Sequence, residues 1–246
     1  MSKYDAFAAL HVPGDPLVLF NIWDAGSARA VAEAGAKAIA TGSHGVAEAN
    51  GMRDGEEFPL DMALANCRRI VGVTELPVSI DLEAGYGDTA DAVAQSAALV
   101  VEAGATGVNL EDRAPGADEL LPMEEAAARV AAASRTGLWV NARTDVYRGK
   151  QREDYTPALI DEVIARAEAY AQAGAGSLFV PFLGDHATIA AICERSPLPV
   201  NVMWAQGRGS KAELAALGVA RISYGPGPWA AAMAWLGEQA RAVFAG

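Results

Sequence analysis

Cysteine is scarce. Cys67 and Cys193 are the only two in 246 residues, too few for a disulfide framework, and neither sits in a CxxC pair that would hold zinc. A disulfide-stapled secreted fold is excluded, and a reducing, cytoplasmic setting is expected. Basic residues are also in the minority, 19 Lys and Arg against 31 Asp and Glu for a formal charge of −12. Without a basic stretch to neutralise a run of phosphates, nucleic acid is disfavoured as a partner. The chain has no uncharged apolar run of about 18 residues, and its first residues form no long apolar segment, so neither a membrane span nor a targeting leader is expected. Lysine is rare too: Lys3, Lys37, Lys150 and Lys211 all fall at strand starts, loops or helices, which disfavours an aldolase that forms a Schiff base inside a barrel.

What is present is apolar material, 52% of the chain, enough for a large core. Ala34-Gly35-Ala36, Ala103-Gly104-Ala105, Ala173-Gly174-Ala175 and Leu217-Gly218-Val219 each separate an Ala-rich helical stretch from a short apolar run. Each glycine is placed as a helix C-cap before a strand. Eight apolar runs result, at 17–22, 38–41, 77–82, 107–111, 138–142, 177–182, 199–203 and 220–224. Strict alternation of strand and helix predicts a parallel sheet, and eight units in this length predict a (β/α)8 TIM-type barrel. The turn after the first strand, Asp24-Ala25-Gly26-Ser27, is not the GxGxxG of an open dinucleotide-binding sheet. No linker divides the chain, so residues 1–246 are expected to form one domain.

Barrel chemistry collects at the C-terminal ends of the strands. There the sequence carries Asp81 and Glu83 on strand three, Glu111 and Asp112 on strand four, and Arg143 and Asp145 on strand five. Period two puts Asp81 and Glu83 on one side of their strand, so that with Glu111 they could form a three-carboxylate cluster. Such a cluster repels itself unless it shares a proton or holds a hard divalent cation such as Mg2+, with Mn2+ as a substitute. The bland alternative is a solvated acidic rim. Arg143 suits a substrate carboxylate or phosphoryl group, or an internal ion pair with Glu111 or Asp145. In the loop expected after strand two, Ser43-His44-Gly45 offers a hydroxyl and free N–H groups to a carboxylate, and His44 is an acid or base by position alone. Asn201, on strand seven, is a further candidate for substrate contact. Gln206-Gly207-Arg208-Gly209-Ser210 and Gly225-Pro226-Gly227 read either as phosphate-binding loops or as plain turns. Trp204, Trp229 and Trp235 read as packing or subunit contacts.

Together these segments resemble the isocitrate lyase and phosphoenolpyruvate mutase superfamily. The resemblance rests on Trp23-Asp24-Ala25-Gly26-Ser27-Ala28, Thr41-Gly42-Ser43, Arg53-Asp54, residues 81–87, Leu110-Glu111-Asp112 and Ala142-Arg143-Thr144-Asp145. It implies a Mg2+-dependent barrel that makes or breaks a C–C or P–C bond beside a 2-oxo or dicarboxylic acid through a pyruvate-like enolate. It further implies Asp81 as direct metal ligand, with Glu83, Glu111 and Asp54 holding metal-bound waters. Ser43 and the N–H groups of His44 and Gly45 would bind the substrate carboxylate, and Arg143 the leaving group. The loop at 113–122 contains no cysteine, so the thiol acid of the family's lyases is missing, and water, His44 or Tyr86 is left to supply a proton. A homo-oligomer, dimer or tetramer, is expected by resemblance and from the apolar segment 229–244. Two other readings are a non-catalytic binder of 2-oxo acids and a phosphate-binding aldolase-type barrel.

Overall fold

A computed structural model describes residues 2–246. Its strands are β1 (Leu17–Leu19), β2 (Ile39–Ala40), β3 (Val78–Asp81), β4 (Gly107–Glu111), β5 (Trp139–Arg143), β6 (Ser177–Val180), β7 (Val200–Met203) and β8 (Arg221–Ser223). The helices are α1 (Lys3–Ala8), α2 (Ala25–Glu33), α3 (Ser43–Glu48), α4 (Leu60–Val71), α5 (Ala90–Glu102), α6 (Met123–Ser134), α7 (Pro157–Gln172), α8 (His186–Arg195), α9 (Lys211–Ala216) and α10 (Gly227–Phe244). Each strand lies within or across one of the eight apolar runs. The four junction glycines have φ between +87° and +95°, the left-handed cap that ends a helix at low cost only for glycine.

All pairings are parallel, in the order β1-β8-β7-β6-β5-β4-β3-β2. A parallel bridge from Ile22 to Thr41 joins the two ends. Asn21 clips the same seam: its amide donates to the Thr41 carbonyl at 2.8 Å and accepts from the N–H groups of Tyr224 and Gly225 at 2.8 and 2.9 Å. The expected (β/α)8 barrel is therefore what forms.

Period two sorts the strand residues. Ile80, Val108, Leu110, Val140, Leu178, Val180, Val200, Val202 and Ile222 face the helices and are all buried, each contributing roughly 1.5–3 kcal/mol relative to exposure. The alternate positions face inward and are largely polar: Ser79, Asp81, Asn109, Glu111, Asn141, Arg143, Ser177, Asn201, Arg221 and Ser223. The N-terminal end of the barrel is stoppered. Helix α1 sets Phe7 against Leu17, Leu19, Ala38, Ala40 and Trp139, and the His11 ring stacks on Trp139 at 4.7 Å. Burial, followed by the positive charge of Arg221, lowers the His11 imidazole to about 3. It stays neutral, and Nδ1 donates to the Phe7 carbonyl at 2.8 Å.

Candidate active site

The open, C-terminal end of the barrel holds two adjoining compartments. The inner, of about 180 Å3, is lined by Ser43, His44, Asp54, Asp81, Asn109 and Arg143, among others. The outer, of about 510 Å3, is bounded by Glu83, Glu111, Arg113, Arg148 and the loop 114–118. Asp54, Arg143 and Phe182 belong to both. A larger hollow of about 610 Å3 lies beside β1 and α2, lined by Leu10, Val12, Phe20, Val31 and similar apolar groups. It holds none of the acidic cluster, so size alone does not mark the chemistry here.

Asp81 ends β3 facing inward. Its Oδ2 accepts from the Ser43 N–H at 3.3 Å and hydroxyl at 3.1 Å, while Oδ1 is buried without any partner. Burial raises its carboxyl, the Arg143 charge opposes that, and Asp54 adds to it. A buried carboxylate oxygen with no donor is costly, and a divalent cation satisfies it, so the donor set fits Mg2+. Among the described residues no three His, Cys, Asp or Glu side chains converge as direct ligands. The three-carboxylate cluster that period two allowed is therefore not assembled as a set of direct ligands to one ion.

Arg143 organises the rest. Its Nη1 donates to Glu111 Oε1 at 2.6 Å, and Nε and Nη2 reach the two oxygens of Asp145 at 2.7 and 3.2 Å. Of the two alternatives read from the sequence the internal ion pair forms, and the same guanidinium also lines the cavity. Burial pushes Glu111 up to about 8 against the opposing pull of Arg143. Asp112 points the other way, accepting from Tyr170 at 2.9 Å, Arg166 at 3.2 Å and the Asp145 N–H at 3.0 Å. It fastens the ends of β4 and β5 to α7.

Four expectations change in place or role. Ser43-His44-Gly45 is the first turn of α3, not a loop; Ser43 and His44 line the inner compartment, but Gly45 is packed behind it, where a Cβ would stand 3.2 Å from Trp229. Glu83 adopts φ +52°, which turns its Oε2 to the N–H groups of Gly55 and Glu56, both at 2.8 Å. It fastens the loop bearing Asp54. The Tyr86 hydroxyl, expected as a proton source, donates to the Phe58 carbonyl at 2.9 Å and borders neither compartment. Asn201 lies one layer below the mouth, fully buried, paired with Ser223 at 3.1 Å, and is out of reach of a ligand above it. Tyr86→Phe is accordingly expected to lower thermal stability slightly and leave turnover within about threefold, one neutral hydrogen bond being worth roughly 0.5–1.5 kcal/mol. A thousandfold loss would restore Tyr86 as an acid.

Burial, then the charges of Asp81 and Asp54, push Glu83 up to about 7 from 4.5. The fold therefore keeps a proton that the unfolded chain has released, and this stabilisation, complete below pH 4.5, is lost as pH rises through 7. In EDTA the protein is expected to melt at a lower temperature at pH 8 than at pH 5.5. A melting point that rises across that interval would contradict the assignment.

The phosphoenolpyruvate phosphomutase family model matches residues 7–244. The chain belongs to the phosphoenolpyruvate mutase family. The resemblance read from the motifs is therefore borne out. The chain is 36% identical over 240 residues to an uncharacterized protein of Mycobacterium tuberculosis (strain ATCC 25618 / H37Rv), covering 97% of this chain and 88% of the other. It is 31% identical to 2-methylisocitrate lyase of Escherichia coli (strain K12) over 79% of this chain and 67% of that enzyme. A Burkholderia cenocepacia J2315 structure, provisionally named a phosphonomutase, superposes with a TM-score of 0.94 at 48% identity, covering 97% of both chains.

Within this family member, several residues that line the site escaped the sequence reading. Arg113, buried at the end of β4, donates to the carbonyls of Ala117 and Asp118 and pins the loop over the outer compartment. Its place directly after Glu111-Asp112 was the available signal. Phe182 carries the guanidinium of Arg143 on its ring at 5.4 Å and that of Arg148 at 5.9 Å, a pairing of distant segments that no local pattern announces. The loop at 206–210 resolves as turn chemistry: Arg208 donates to the Pro181 and Met203 carbonyls, and Ser210 caps α9.

Proposed function

We propose that this chain is a Mg2+-dependent lyase or mutase that makes or breaks a C–C or P–C bond beside a small 2-oxo or dicarboxylic acid, through a pyruvate-like enolate. The observation that carries this reading is the half-unpartnered Asp81 carboxylate facing Arg143 and Ser43 across one small compartment, in a chain of this family. Asp81 would hold the cation directly, with Glu111 and Asp54, and Glu83 at longer reach, holding its waters. When bound, the cation supplies electrophilic stabilisation of negative charge on the oxygen beside the carboxylate. Ser43 and the first-turn N–H of His44 orient the substrate carboxylate. Arg143, rigid between Glu111 and Asp145, presents a fixed guanidinium to the second anionic arm. With the Tyr86 hydroxyl committed elsewhere, His44 or solvent is left to protonate the carbon. The loop over the outer compartment limits water there and sets which arm fits.

A Schiff-base aldolase is not supported, since Lys3 and Lys211 lie on helices, Lys37 follows α2 and Lys150 is in a loop. The phosphate-binding alternative loses its loop to the internal bonds of Arg208. The decisive experiment is calorimetry with Mg2+ and oxalate, a planar mimic of enolpyruvate, followed by a 2-oxo and dicarboxylic acid activity panel. Metal-dependent oxalate binding with turnover of one acid supports the reading; binding without turnover favours a non-catalytic binder; no binding overturns both.

The functional unit is read as a homo-oligomer. Pro228 alone is buried in α10, while Trp235, Leu236, Val243 and Phe244 are more than half exposed. Apolar area of that extent is normally covered by another subunit. Light scattering is expected to give at least a dimer, and a monomeric mass at micromolar concentration would refute this. Among the described residues no helix is long and apolar enough to cross a membrane.

A further inference from the structure

The mechanism above leaves one charged group without employment: Arg221, wholly buried in the barrel below the inner compartment. Its Nη2 donates to Asn109 Oδ1 at 3.0 Å, whereas Nε and Nη1 have no partner. No carboxylate forms a salt bridge with it among the described residues. A buried guanidinium so poorly satisfied is strongly unfavourable for the fold, and a methionine would fill the same volume without that cost.

Hydrogen-bond polarity shows what the guanidinium does. The Trp139 indole N–H can only donate, and it gives to Ser177 Oγ at 3.1 Å. Ser177 then gives its own hydrogen to Asn141 Oδ1 at 2.7 Å. The Asn141 amide nitrogen therefore faces Asn109 and donates to its Oδ1 at 2.8 Å. That oxygen thus receives two donors, from Asn141 and from Arg221, neither of which can accept. The Asn109 amide is locked with its oxygen down and its NH2 up. The nitrogen makes no hydrogen bond within the described residues and is not sealed from solvent, and Asn109 lines the inner compartment beside Asp81 and Arg143.

We propose that Asn109 is a substrate-contacting residue whose NH2 donates to an oxygen of a planar oxo-acid anion on the floor of the inner compartment, and that Arg221 is the positioning residue that holds the amide in that orientation. The assignment rests on the proposed reading of the site as the seat of a small oxo acid. It adds a specificity element: the ligand must present an acceptor oxygen, not a methyl or a hydroxyl hydrogen, to the barrel floor. Arg221 also places a positive charge beneath that anion, which acts in the same direction as Arg143.

The test is oxalate calorimetry in the presence of Mg2+, with melting curves on the same samples. If wild-type protein binds no oxalate, the reading of the site falls and this inference with it. If it binds, Asn109→Asp keeps the shape, replaces the donor by an oxygen and gives Arg221 a carboxylate partner. It is expected to melt at a higher temperature yet weaken oxalate at least thirtyfold. Arg221→Met leaves Asn109 Oδ1 satisfied by Asn141; it is expected to melt no lower than wild type and to weaken oxalate about tenfold, with Mg2+ affinity not reduced. Arg221→Lys, which keeps the charge, should recover part of that loss and serves as the second variant if Arg221→Met does not fold. Wild-type oxalate affinity, within twofold, in both Arg221→Met and Arg221→Lys would overturn the positioning role. The same result in Asn109→Asp would overturn the contact.

Discussion

Asp81→Asn is expected to abolish turnover, by about 10²–10³-fold or more, while making the metal-free protein harder to melt. Both effects come from one atom. Oδ1 is enclosed without a donor, so the charge is held against its own desolvation, and a neutral amide of the same size removes that cost. Activity and stability then move in opposite directions, as expected for a group retained for its chemistry. A ligand at about 100 times its dissociation constant adds about 2.7 kcal/mol to stability. At about 2–4 °C per kcal/mol for a chain of this size, saturating Mg2+ should raise the wild-type melting point by about 5–10 °C. The same addition should leave Asp81→Asn unmoved. A variant that kept both the shift and the activity would remove Asp81 from the reaction.

Arg143→Met is expected to produce the largest loss of stability in the site. The guanidinium stands between Glu111 at 2.6 Å and Asp145 at 2.7 Å, both carboxylates being largely enclosed. Removing it takes the buried ion-pair partner from Glu111 and the nearest of three from Asp145, which keeps Arg148 at 3.3 Å and Arg113 at 3.5 Å; breaking a buried pair costs about 3–5 kcal/mol. The melting point should fall by about 10 °C and oxalate binding should vanish. Arg143→Met combined with Glu111→Gln should recover part of the stability and none of the binding, which separates scaffold from ligand contact. Chemical denaturation and calorimetry on the two variants check it; a single variant that unfolds like wild type would mean that Asp145 is held by Arg113 and Arg148 alone.

The barrel was legible because its signals are local and repeated. A cap glycine before each of four apolar runs needs only the neighbouring residues to be read, and the alternation of helix and strand leaves few topologies. The positions of Asp81, Glu111 and Arg143 were legible for a related reason: a charged residue ending an apolar strand faces inward by period two. What failed depends on the third dimension. Glu83 shares that parity with Asp81, but a left-handed backbone at Glu83 redirects it to the 55–56 loop, a feature no pattern of residue types reveals. Tyr86 and Phe58 are separated by 28 residues, and only the folded loop brings them together. Asn201 and Asn109 look alike in sequence, each an asparagine inside an apolar strand. The stagger of the barrel puts one beneath the other's layer, so the one expected to touch substrate is sealed and the other lines the cavity.

The stopper formed by Phe7, His11 and Trp139 leaves the barrel a cul-de-sac. Whatever enters at the C-terminal end must leave there, so for a cleavage yielding two fragments the expected order of departure is the piece nearer the 114–118 loop first and the piece against Ser43 last. High concentrations of the late-leaving fragment should then compete with fresh substrate, whereas the early fragment should act as a noncompetitive inhibitor.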